Sequence, residues 1–151
     1  MSAAKAFQTL KTFFETRTAA KVALSTIKEG TEIGVVIGGN VECTVFQHNH
    51  CPVVENRAAV HPDIIFYIRP ESVYIIANNS KDEIGDIGVH ILKEVLSGGI
   101  QIKIPGGVMN ILSQGYLEML RKGGAPVMSF LAQHGFGSVP KIVSAIKSLK
   151  R

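Results

Sequence analysis

Cys43, His48, His50, Cys51 and His61 are the side chains in this sequence best suited to hold a metal. Two thiols and the imidazoles would suit a tetrahedral zinc ion, because both donor types are borderline-soft. Their spacing argues against it, since there is no Cys-x-x-Cys pair and His48 and His50 alternate along an extended stretch. With only two cysteines the chain reads as a reduced protein, so a Cys43–Cys51 disulfide is not expected either. Catalysis would need a nucleophile beside a base, or carboxylates paired in a cleft. The sequence has no Gly-x-Ser-x-Gly elbow, phosphate-binding loop or His-Glu-x-x-His, and Gly135-Phe-Gly137-Ser138 lacks the strand and third glycine of a dinucleotide fingerprint. The expectation is a protein that is not an enzyme, with no catalytic residue, no metal ligand and no cofactor.

Chemistry in this chain therefore rests on apolar surface and on the elements that present it. Residues 4–28 read as one amphipathic helix whose stripe is Ala6, Leu10, Phe13, Arg17, Ala20, Leu24 and Ile27, with Arg17 its one polar member and Gly30 its stop. Strand patterns follow at Thr31–Ile37, Val41–Gln47, Val53–Ala59 and Asp63–Arg69, with Gly38-Gly39-Asn40 as a hairpin turn and His48 to Pro52 as a loop. Helices are expected over Ser72–Asn78 and Lys81–Leu96, a last strand over Gly99–Ile104, and further helices over Val108–Lys122, Val127–His134 and from Ser138 onward. The order predicts an α+β fold, with a single, mostly antiparallel sheet of about five strands and helices covering one face. Residues 1–151 are expected to form one domain carrying an extra helical segment over about 123–151.

With 151 residues, 46% of them hydrophobic and only 7% aromatic, the chain has ample aliphatic material for an interior and too little polarity for disorder. Its formal charge of +4 hides basic ends around an acidic middle: residues 29–94 hold most of the Asp and Glu, and the expected sheet lies there. An acidic sheet is unsuited to nucleic acid. The basic ends suit either packing near the acidic middle or transient contact with an anionic membrane surface, as does the cationic end of the last amphipathic helix. No segment reads as a signal peptide or a spanning helix, so a cytoplasmic location is expected.

The run His61-Pro-Asp63-Ile-Ile-Phe-Tyr-Ile-Arg69, the stretch Pro70-Glu-Ser-Val-Tyr-Ile-Ile76 and the segment Leu96-Ser-Gly-Gly-Ile-Gln-Ile-Lys-Ile-Pro-Gly106 resemble the sterol carrier protein family of small lipid-transfer domains. The resemblance spans roughly Phe7 to Leu120. Two departures are plain: Val108 stands after Pro105-Gly106-Gly107 where the family usually has an acid, and the tail beyond Gly123 exceeds the minimal domain. The chain also ends Ser148-Leu-Lys-Arg151 and lacks the Ser-Lys-Leu address of the family's peroxisomal members.

The resemblance implies an apolar tunnel between sheet and helices. Aliphatic faces available to line it are Phe66 and Ile68; Val73 and Ile76; Ile87, Ile91 and Val95; and Met109, Leu112, Tyr116, Met119 and Leu120. The ligand would be a lipid, fatty acyl chain, sterol or prenyl-quinone intermediate, bound without chemistry. The same residues also suit a solid core. In that case the protein is a small assembly module that holds partners or other copies of itself through its first helix, or, less simply, a metal-dependent protein built on the Cys/His segment.

Overall fold

The first amphipathic segment folds as two helices rather than one. The computed structural model describes residues 2–105, 107 and 115–135, and places α1 at Ala3–Thr16 and α2 at Thr18–Leu24. Ser2 caps α1, its hydroxyl accepting from the Lys5 N–H at 3.2 Å. Arg17 separates the helices with extended backbone (φ −82°, ψ 127°). The break has a tertiary cause. The Arg17 guanidinium donates to the carbonyls of Ala77 at 2.7 Å and Ser80 at 3.2 Å, while Asp82 Oδ1 accepts from the Ala19 N–H at 2.9 Å. Helix-end groups that would lack partners are thereby satisfied, which offsets the interrupted turn.

Five strands follow: β1 Ile33–Ile37, β2 Val41–His48, β3 Cys51–Glu55, β4 Ile65–Ile68 and β5 Ile100–Lys103, in the sheet order β3-β2-β1-β4-β5. The expected hairpin at Gly38-Gly39 joins β1 to β2, with both glycines at positive φ. A second tight turn replaces the expected loop after His48: Asn49 and His50 both adopt left-handed φ (51° and 63°), the requirement of a primed hairpin turn. Cys51 and Pro52 consequently belong to β3, which is an edge strand where proline is tolerated.

The sheet is mostly antiparallel, as expected, but β4 runs parallel to β1, with Val35 opposite Phe66 and Ile37 opposite Ile68. Beside β1 it lies inside the sheet, where a strand apolar on both faces belongs.

Between β4 and β5 lie α3 (Pro70–Asn79) and α4 (Ile84–Ser97), and Gly98 ends α4 in a left-handed cap at φ 86°. Beyond β5 come α5 (Tyr116–Lys122) and α6 (Gly124–Gln133). Residues 108–114 of the expected helix Val108–Lys122, and the helix expected from Ser138, lie outside the described residues.

The register puts Ile33, Val35, Ile37, Cys43, Val45, Val54, Ile64, Phe66, Ile68, Ile100, Ile102 and Ile104 on one face of the sheet. These join Ala6, Leu10, Phe13, Leu24, Val73, Ile76 and Ile87 from the helices in one apolar cluster. The opposite face carries no helix from the described residues. Part-buried Phe46 and Tyr67 lie there under cations, with Arg57 Cζ 5.6 Å and Lys103 Nζ 5.2 Å from the ring centres. Among the described residues no helix is long and apolar enough to cross a membrane.

Candidate functional site

The stepping of Ile84, Ile87, Ile91 and Val95 turns one side of α4 toward the sheet, and all four pack on the apolar cluster. Only Ile87 of these is buried. Ile91 and Val95 are part-buried, as are Phe66 and Ile102, which are direct register partners on the helix-facing side of β4 and β5. All four are part-buried members of the layer between α4 and the β4–β5 end of the sheet.

Of the expected lining residues, Ile68, Val73 and Ile76 are buried in the same cluster. Tyr116 and Met119 of α5 join it. Leu120 does not: it packs with Val127 and Leu131 of α6 in a separate cluster, also met by Val89 and Leu92 on another side of α4. Met109 and Leu112 lie outside the described residues. Ile102, absent from the expected lining, shares this face, as the alternation of Ile100, Ile102 and Ile104 implies.

Two polar groups stand at this apolar interior. Tyr116 is 9% exposed, and its hydroxyl oxygen is fully buried without a hydrogen-bond partner among the described residues. Burial raises its pKa well above the ordinary phenol value, and the negative charge of Asp63 adds to the shift, so the hydroxyl keeps its proton. Asp63 is itself 9% exposed. Gly115 sets the position of Tyr116: its φ is +95°, and a Cβ there would collide with the backbone of Thr26.

The cysteine and histidine residues do not assemble. Cys43 is buried on the helix-facing side, with its thiol pushed up to about 12 by desolvation, whereas Cys51 is exposed on the hairpin. Neither forms a disulfide, and no group of three or more His, Cys, Asp and Glu side chains gathers among the described residues.

Two open grooves mark the helical layer. One, of about 470 Å³, runs past Asp86, Lys93 and Phe130, and the other, of about 350 Å³, past Gln8, Thr12 and Asn78. None of the expected lining residues that are described contributes to either.

No protein-family model matches the chain, and no curated protein matches it significantly. Solved structures do match. One, described as UbiJ-SCP2 ubiquinone synthesis protein, is 15% identical over 85% of this chain and 94% of its own, with a TM-score of 0.46. Another, the sterol carrier protein domain 2 of Helicoverpa armigera, is 18% identical over 89% of this chain and 88% of its own, with a TM-score of 0.43.

Proposed function

We propose that the protein binds or carries a hydrophobic ligand, taken up between α4 and the helix-facing side of β4 and β5. The observation that carries this reading is the incomplete burial of Phe66, Ile91, Val95 and Ile102, all of which pack on the main apolar cluster. A solid core would close over such residues. An apolar chain entering there would gain roughly 25 cal/mol for each Å² of apolar surface that it removes from water. Ile68, Val73, Ile76, Ile87, Tyr116 and Met119 form the deeper wall, and Met119 supplies an adaptable side chain. No chemical step is required of the protein, and the basic ends of the chain favour encounter with anionic membranes, where such ligands reside.

Native mass spectrometry of the purified protein, combined with organic extraction, tests this reading. The expected result is one lipid or one added long-chain alcohol per chain, released by extraction. A chain that takes up none of these at saturating concentration overturns it.

A further inference from the structure

We propose that the β5 edge of the sheet is an interface between two copies of this chain, which pair there as antiparallel strands about a two-fold axis. The two edges of the sheet are finished differently. On β3 the outward-facing residues are Pro52, which has no N–H, and Val54, whose N–H and C=O are both taken by Glu15 and Lys11 of α1. At β5 the Arg69 N–H donates to the Gly99 carbonyl at 3.0 Å, and Tyr67 and Ile65 stand opposite Gln101 and Lys103. Inward and outward backbone positions alternate along such a strand, so Ile100 and Ile102 turn their N–H and C=O groups away from the sheet. Among the described residues none of these groups has a hydrogen-bond partner.

An edge of this kind is completed by an extended strand, and β5 itself fits as that strand. A two-fold axis through Ile102 places Ile100 of one copy opposite Ile104 of the other, and Gln101 opposite Lys103. Ile100, Ile102 and Ile104 share the helix-facing side, so apolar side chains meet apolar ones across the join. Lys103 is the strand's one charge; it lies over the Tyr67 ring on the open face and meets no like charge in this register. Leu96, at the end of α4 that leads into β5, is 53% exposed and adds apolar surface beside the start of the strand. A strand of 4 residues joins a small area, which suits a reversible dimer rather than an obligate one.

The experiment is sedimentation velocity of wild type, Gln101→Lys and Gln101→Glu from micromolar to near-millimolar concentration, with backbone hydrogen exchange of wild type at both ends of that range. Gln101 is exposed and outside the proposed ligand site, so the melting temperature of dilute protein should be the same in all three. Wild type is expected to dimerise reversibly with a Kd of about 10–100 μM. Gln101→Lys sets a lysine against Lys103 of the other copy, twice in each dimer, and should weaken association about fivefold, whereas Gln101→Glu should tighten it about fivefold. The Ile100 and Ile102 amides should gain protection from exchange as concentration rises. A monomer at every concentration overturns the proposal. A dimer whose affinity the two substitutions do not shift in opposite directions also overturns it, because that dimer uses another surface. Protection of the Ile100 and Ile102 amides already in the dilute monomer overturns it too, because the edge is then covered within the chain.

Discussion

Glu15 on α1 accepts a hydrogen bond from the backbone N–H of Val54, in the outermost strand of the sheet, at 3.0 Å. One turn earlier, Lys11 donates to the Val54 carbonyl at 2.8 Å and to Glu15 at 2.8 Å. Two helix side chains thus occupy both backbone groups of Val54 on the edge strand, groups that a passing strand could otherwise pair with. Burial alone would raise the Glu15 pKa, but the Lys11 ammonium and the Val54 N–H outweigh it and hold the carboxyl below its ordinary value near 4.5. Its contribution to stability is therefore present above about pH 4.5 and is lost as pH falls through the lower folded-state value. Glu15→Gln should cost about 0.5–1 kcal/mol near neutral pH, since the pair is part-exposed and screened. In urea denaturation the gap from wild type should close in acid.

Arg17 should behave as a structural bolt rather than a surface charge. Arg17→Ala leaves the Ala77 and Ser80 carbonyls without their donor and removes the guanidinium stacked 5.1 Å from the Phe13 ring centre. A loss of about 2 kcal/mol is expected by chemical denaturation. Arg17→Lys should recover only part of it, because a point ammonium cannot reproduce the planar fork that spans two carbonyls.

Gly115→Ala should be among the most damaging single changes. The residue has positive φ, and an added methyl meets the Thr26 backbone, which cannot yield as a flexible side chain could. Destabilisation of about 3 kcal/mol or more is expected in a thermal melt. Gly30→Ala is the control: its φ is +87° but nothing lies within 4 Å of the added carbon, so only the backbone strain of about 1 kcal/mol should appear.

Ile91→Gln places an amide at a part-buried position of the proposed ligand site, so the fold should survive with a loss of about 1 kcal/mol. Affinity for a fluorescent acyl probe should fall at least about tenfold, because the amide must be desolvated when the chain enters. Unchanged affinity would remove Ile91 from the site.

Native thiol labelling should modify Cys51 rapidly and leave Cys43 untouched until the protein unfolds, because Cys51 is exposed whereas Cys43 is buried and its desolvated thiol is pushed up to about 12. Two fast thiols before unfolding would contradict the burial of Cys43.

Periodicity made most elements legible: the steps of Ile84, Ile87, Ile91 and Val95, the alternation of Ile100 to Ile104, and the glycines at 38, 39 and 98 mark a helix, a strand and their turns through local geometry alone. The apolar faces that form the interior were legible for the same reason, since which side of an element is apolar is written in its spacing. Partner choice was not. The parallel pairing of β4 with β1, the break at Arg17, and the edge contact of Lys11 and Glu15 with Val54 join residues far apart in sequence, and only chain packing brings them together. The degree of burial had the same origin. Phe66 and Ile76 look equally apolar as letters, yet one is part-buried and the other buried, because exposure is set by what the neighbouring elements cover.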